Sequence, residues 1–146
     1  MLKDNMPALK GHLTIRVKSP DSSVKKYEFP NLVVNTGKNQ AVSRLIGNTP
    51  GPISHMALGS SATTPAAGNT QLGTELGRVA VGSATASGST ATIVANFPAG
   101  TATGSIAEAG LFNASSAGIM TARSTFSPIP KGAADAVEIT WALTAA

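Results

Sequence analysis

Cysteine is absent from this 146-residue chain. Disulfides, thiolate nucleophiles and cysteine-bound zinc are thereby excluded. Aromatic residues make up 4% of the chain and charged residues 12%. A nucleic-acid surface normally interleaves stacking rings with its cations, and a sugar groove is normally lined with aromatics; both are poorly supplied here. Only two histidines occur, His12 and His55, with no second histidine or carboxylate at ligand spacing. Surface or hydrogen-bonded histidine is the expectation for each, and no metal or other cofactor is expected. No apolar run reaches the ~20 residues of a membrane-spanning helix. No apolar segment follows the N-terminal lysines either, so a soluble chain without a classical export signal is expected.

What the chain does have is glycine, alanine, serine and threonine, with β-branched residues at period two. Leu13, Ile15 and Val17 alternate with Thr14, Arg16 and Lys18, which predicts a strand with one buried face. Residues 19–23 carry turn chemistry, and a second strand over 24–29 completes a hairpin, with Pro30 barring a central position. Ala91, Ile93, Ala95 and Phe97 form one face of a strand over 90–97. Val137, Ile139, Trp141 and Leu143 form the clearest alternation of all, which places Trp141 in the core. Strands are also expected over 53–58, 74–81, 106–112 and 119–126, with long small-residue loops at 59–73 and 113–118. The glycines at 59, 68, 73, 88, 100, 104 and 118 are expected in turns that need positive φ. One short helix is expected at about 36–46, capped by Asn35 or Thr36 and ended by Gly47. Its packed face would be Ala41, Val42, Leu45 and Ile46. The fold class is therefore all-β, a sandwich or jelly-roll-like body over 11–146 with an extended N-terminal arm, 1–10.

Net charge is +4, and it is uneven. Residues 1–50 hold eight cations against three carboxylates, a net of +5; residues 51–146 hold three against four, a net of −1. A solvated or protein-facing role fits the basic half better than nucleic acid, since only Tyr27 and Phe29 accompany its cations.

Catalytic constellations are thin. No GxSxG elbow and no phosphate-binding glycine loop occurs in a strand-to-helix context. Glu28, Glu75, Glu108 and Glu138 are the glutamates from which a glycosidase pair would have to come. Glu108 sits among small residues in Ile106-Ala107-Glu108-Ala109-Gly110-Leu111-Phe112. A half-buried carboxylate there is expected to make a fold-specifying ion pair with Arg78 or Arg123 rather than to act in catalysis.

The run Met56-Ala57-Leu58-Gly59, then Thr63-Thr64-Pro65-Ala66-Ala67-Gly68 and Leu72-Gly73-Thr74-Glu75, resembles a module of tailed-bacteriophage virion proteins. So do Glu108-Ala109-Gly110-Leu111-Phe112-Asn113, Met120-Thr121-Ala122-Arg123, Phe126-Ser127-Pro128 with Lys131, and Ile139-Thr140-Trp141. The segment Asn31-Leu32-Val33-Val34-Asn35-Thr36-Gly37-Lys38 is similar to the one that precedes the short helix in such proteins. The resemblance spans about residues 11–141. It implies a capsid cement (decoration) protein: non-enzymatic, made in the bacterial host cytoplasm and carried on the capsid exterior. It also implies a jelly-roll or sandwich body that bridges major capsid subunits as a homodimer or homotrimer. A tail-fibre or baseplate structural module is the alternative. Expected partners are the major capsid protein and further copies of the chain, with no membrane. The expected partner-binding residues lie in the basic arm: Leu2, Met6 and Leu9 as apolar anchors, Lys3 and Lys10 toward an acidic surface.

Overall fold

The computed structural model describes residues 9–47 and 49–145. Among these described residues, ten strands and one helix follow in the order β1 (Leu9–Lys18), β2 (Val24–Pro30), β3 (Leu32–Val33), α1 (Asn35–Leu45), β4 (His55–Gly59), β5 (Glu75–Ala80), β6 (Ser83–Ser87), β7 (Thr90–Phe97), β8 (Gly104–Phe112), β9 (Met120–Lys131) and β10 (Ala136–Ala145). They form two five-stranded sheets, β2-β1-β10-β7-β6 and β3-β9-β8-β4-β5. Every pairing is antiparallel. The protein is an all-β sandwich with one short helix.

The first sheet follows the period-two pattern. Leu13, Ile15, Ile93, Ala95, Phe97, Val137, Ile139 and Trp141 all point inward and are buried. Register makes this consistent, because Leu13 lies opposite Trp141 and Trp141 opposite Ile93. They meet Met56, Leu58, Ile106 and Leu111 from the second sheet in one core. Burial of such side chains stabilises by about 1.5–3 kcal/mol each. Trp141 keeps its indole N–H satisfied by donating to Asn31 Oδ1 at 3.2 Å. Phe29 on the edge strand β2 stacks on Phe126 of β9, ring centroids 4.5 Å apart, and closes one side of the sandwich. The turn between β1 and β2 is an Asp turn: the Ser23 hydroxyl and N–H both donate to Asp21 Oδ1. These bonds hold the Asp21 carboxyl below its ordinary pKa.

The centre of the second sheet is buried on both faces, while its edge strand β5 stays partly exposed. Every residue of β8 from Ile106 to Phe112 is inaccessible, so this strand shows no alternation in sequence. Its outer face carries a small second cluster of Val34, Ala57, Leu72, Phe112 and Met120. The long loop 60–74, through Leu72, forms part of this cover. β9 runs well past its expected end at 126. β3 pairs only with Ala122 and Arg123, so the later part of β9 is an edge, which tolerates Pro128 and Pro130.

The helix corrects two expectations. Neither Asn35 nor Thr36 caps it: Val34 stands at the N-cap with no side-chain bond, and the Thr36 hydroxyl donates to the Met120 carbonyl instead. Gly47 does follow it at φ +70, its N–H bonded to the Arg44 carbonyl. The expected packing face is the wrong one. Val42, Leu45 and Ile46 are 66%, 84% and 80% exposed, while Gly37 and Gln40 are buried. Gly37 lies directly on the Thr121 backbone, where a Cβ would have no room. Gln40 accepts from the Thr121 hydroxyl at 2.6 Å and donates to the Gly51 carbonyl at 2.8 Å. Close backbone approach and paired polar groups fix this helix, not an apolar stripe.

The last two residues of the expected arm, 1–10, fall in a strand. Leu9 and Lys10 belong to β1, opposite Ala145 and Thr144. Leu2, Lys3 and Met6 lie outside the described residues.

Candidate functional site

On the outer face of the second sheet, β4, β5, β8 and β9 present Gly59, Arg78, Glu108 and Arg123 to the loops above them. Gly59 sits opposite Glu108, and Arg123 opposite Gly110. The space that Gly59 leaves is filled by the Glu108 side chain, and that at Gly110 by Phe112 and Leu72. A Cβ on Gly59 would collide with the Glu108 carboxylate and with the Thr74 carbonyl.

Glu108 is wholly buried and is the hub. Its Oε2 accepts from Arg123 Nη2 at 2.8 Å and from Arg123 Nε at 3.0 Å. The same oxygen accepts from the Gly73 N–H at 2.9 Å. Its Oε1 accepts from the N–H groups of Thr74 at 2.8 Å and Ser61 at 3.2 Å. One carboxylate thus grips both ends of loop 60–74. Arg123 reaches on from Nη1 to Asn69 Oδ1 at 3.1 Å, and that oxygen also accepts from the Ala66 N–H at 2.8 Å. The loop middle is tied to the helix by the Asn35 N–H donating to the Ala67 carbonyl. Ion pairs this deep survive only when the remaining polar sites are also satisfied, as they are here.

A second pair holds the neighbouring loop. Arg78 donates to Glu75 from Nη2 at 2.7 Å and from Nε at 3.2 Å. Its Nη1 donates to the carbonyls of Ala114 and Ala117, both at 2.9 Å. The guanidinium lies 3.7 Å over the centre of the Phe112 ring, a favourable cation–π placement. Between the two loops lies a polar cleft of about 580 Å³, lined by Gln71, Gly73, Glu75, Arg78, Ser115 and Ser116 among others.

The expected ion pair at Glu108 therefore exists, and its partner is Arg123 rather than Arg78. The positive-φ expectation for glycine holds at Gly88, Gly100, Gly104 and Gly118. It fails at Gly59, Gly68 and Gly73; Gly59 and Gly73 serve close approach instead, the latter against Ser61. Asn69, Leu72 and Gly37 carry structural roles that no sequence pattern marks. His12 is exposed on β1, and His55 Nδ1 lies 2.8 Å from the Ser54 hydroxyl. Of the expected partner-binding residues, Leu9 and Lys10 stand on the other sheet, away from this network. Leu9 is half-buried and Lys10 exposed. Among the described residues no group of three or more histidine, aspartate or glutamate side chains has metal-binding geometry, and no helix is long and apolar enough to cross a membrane.

Comparison with known proteins found no matching family model, no matching curated protein and no matching solved structure.

Proposed function

We propose that this protein is a phage capsid cement (decoration) protein that binds the outside of the head lattice and bridges major capsid subunits. One observation carries the reading. The segments that resemble phage virion modules, at 56–59, 72–75, 108–113 and 120–123, converge on a single buried network that pins surface loops to the sheet. Charge is spent here on rigid loop display, which suits a protein whose work is to fit another surface. A rigid binder of a lattice seam stabilises the assembled shell by mass action, and repetition multiplies weak contacts. In this reading Leu2, Lys3, Met6, Leu9 and Lys10 contribute to capsid contact, the lysines meeting acidic surface.

The test is co-sedimentation of the purified protein with empty shells of the virus that encodes it, read by electron microscopy. Regular density at subunit junctions is expected. Bare shells, with protein at the tail tip of whole virions, would replace this reading with the tail-fibre or baseplate one. Deleting residues 1–8 leaves β1 whole and is expected to abolish shell binding while the fold persists. Normal decoration by the truncated protein would remove the arm from the contact.

A further inference from the structure

We propose that β6 is an interaction edge through which two copies of this chain pair, strand to strand, about a two-fold axis at Thr85. Four strands and the later part of β9 stand at the sheet edges, and all but one are protected against pairing, β9 by Pro128 and Pro130. β2 carries Lys25, Lys26 and Pro30. β3 is only two residues long. β5 carries Glu75 and Arg78, and its ladder with β4 is irregular at Leu58/Gly59. β6 has no such device. It is Ser83-Ala84-Thr85-Ala86-Ser87, without charge or proline, in unbroken register with β7 and exposed at every position. It ends its sheet with no strand beyond it among the described residues.

The occupant follows from the sequence of the strand, which reads the same in both directions. Antiparallel pairing of β6 with its own copy sets Ser83 against Ser87, Ala84 against Ala86 and Thr85 against Thr85. Every cross-strand pair is then like with like, small, and free of charge repulsion. Hydroxyl pairs fall on one face, the arrangement that Thr–Thr and Thr–Ser pairs favour. The same face already carries such a contact, Thr90 Oγ1 to Thr144 Oγ1 at 2.9 Å. Alanines fall on the other face, and Ala86 lines an apolar groove of about 430 Å³ beside α1. The contact is isologous, so it closes at two copies and joins two five-stranded sheets into one of ten.

The pairing does not depend on the capsid reading, because it is measured without shells. Sedimentation of the full chain is expected to give a dimer. Thr85→Lys and Thr85→Glu, each placing two like charges at the axis, are expected to raise the dissociation constant roughly tenfold or more. Mixing the two variants is expected to restore dimers. Because the chain has no cysteine, Thr85→Cys is expected to give a single disulfide-linked dimer under air, while Lys26→Cys on the β2 edge dimerises without a disulfide link. A wild-type monomer at the highest concentration reached, a trimer, or a dimer indifferent to Thr85→Lys would each overturn the proposal.

Discussion

The outer faces of the two sheets handle charge in opposite ways. On the first sheet, Arg16 lies opposite Glu138 across β1 and β10, with 4.0 Å between charged atoms and side chains 40% and 45% exposed. On the second, Arg123 and Glu108 lie 2.8 Å apart at 3% and 0% exposure. The same two charge types make a solvated pair in one place and the keystone of a loop in the other. What differs is the cover. Water screens the first pair, whereas loop 60–74 excludes it from the second and supplies three N–H donors. A buried pair is stabilising only relative to its broken form, so its worth lies in how badly the structure tolerates losing one half.

The sharpest way to break this contrast is Glu108→Ala. It leaves the Arg123 cation and three loop N–H groups without their acceptor. A loss of about 3–5 kcal/mol is expected, read by urea denaturation, with loop 60–74 becoming a site of limited proteolysis. The double variant Glu108→Leu/Arg123→Met is expected to lose less than the two single changes added together. Wild-type stability in Glu108→Ala would mean that the pair is not what holds the loop.

An intermediate case sharpens the comparison, because one buried cation has no carboxylate on its ammonium group among the described residues. Lys131 is 1% exposed, and its Nζ donates to the carbonyls of Asp135 at 2.8 Å and Pro98 at 3.2 Å. Burial pushes its pKa below the ordinary 10.5, partly offset by the Asp135 charge. Between the folded value and 10.5 the unfolded chain holds a proton that the folded chain has released. Stability from this group therefore rises with pH through that window. Lys131→Met is expected to cost about 1–3 kcal/mol at neutral pH through the two orphaned carbonyls. It is also expected to flatten the alkaline rise, measured as wild type minus variant across a pH series of denaturation curves. An identical pH dependence in both proteins would refute this account.

The smallest effect is expected on the first sheet. Glu138→Gln removes the exposed partner of Arg16 and is expected to shift stability by less than about 1 kcal/mol. That small difference should fade as salt is added. A shift as large as that of Glu108→Ala would erase the distinction between the two faces.

Legibility followed the same division. β1, β7 and β10 were readable because one face of their sheet meets water, and alternation is the record of that asymmetry. β8 offered only an apolar run with a carboxylate in it, so it was readable as a strand but not as one covered twice. β3 and β6 escaped reading, the first for its length and the second because five small residues carry no hydropathy contrast. The loop network left partial traces. A carboxylate among small residues pointed to a buried pair, but choosing between Arg78 and Arg123 required the register of β9 on β8. Nothing in sequence distinguishes Asn69 from any other loop asparagine.

By itself, then, the amino-acid sequence determined an all-β chain, a core containing Trp141, and a short helix before a run of strands, because each follows from local periodicity and turn chemistry. Only the tertiary structure decided which helix face packs and where the buried charges go. Val42, Leu45 and Ile46 formed the more apolar face, yet Gly37 won because it alone lets the helix backbone reach β9. Glu108 lies where it meets Arg123 and the loop because Gly59, opposite it, leaves the space that the carboxylate fills. Both outcomes turn on the absence of a side chain at a contact between distant segments, and that contact exists only once the chain has folded.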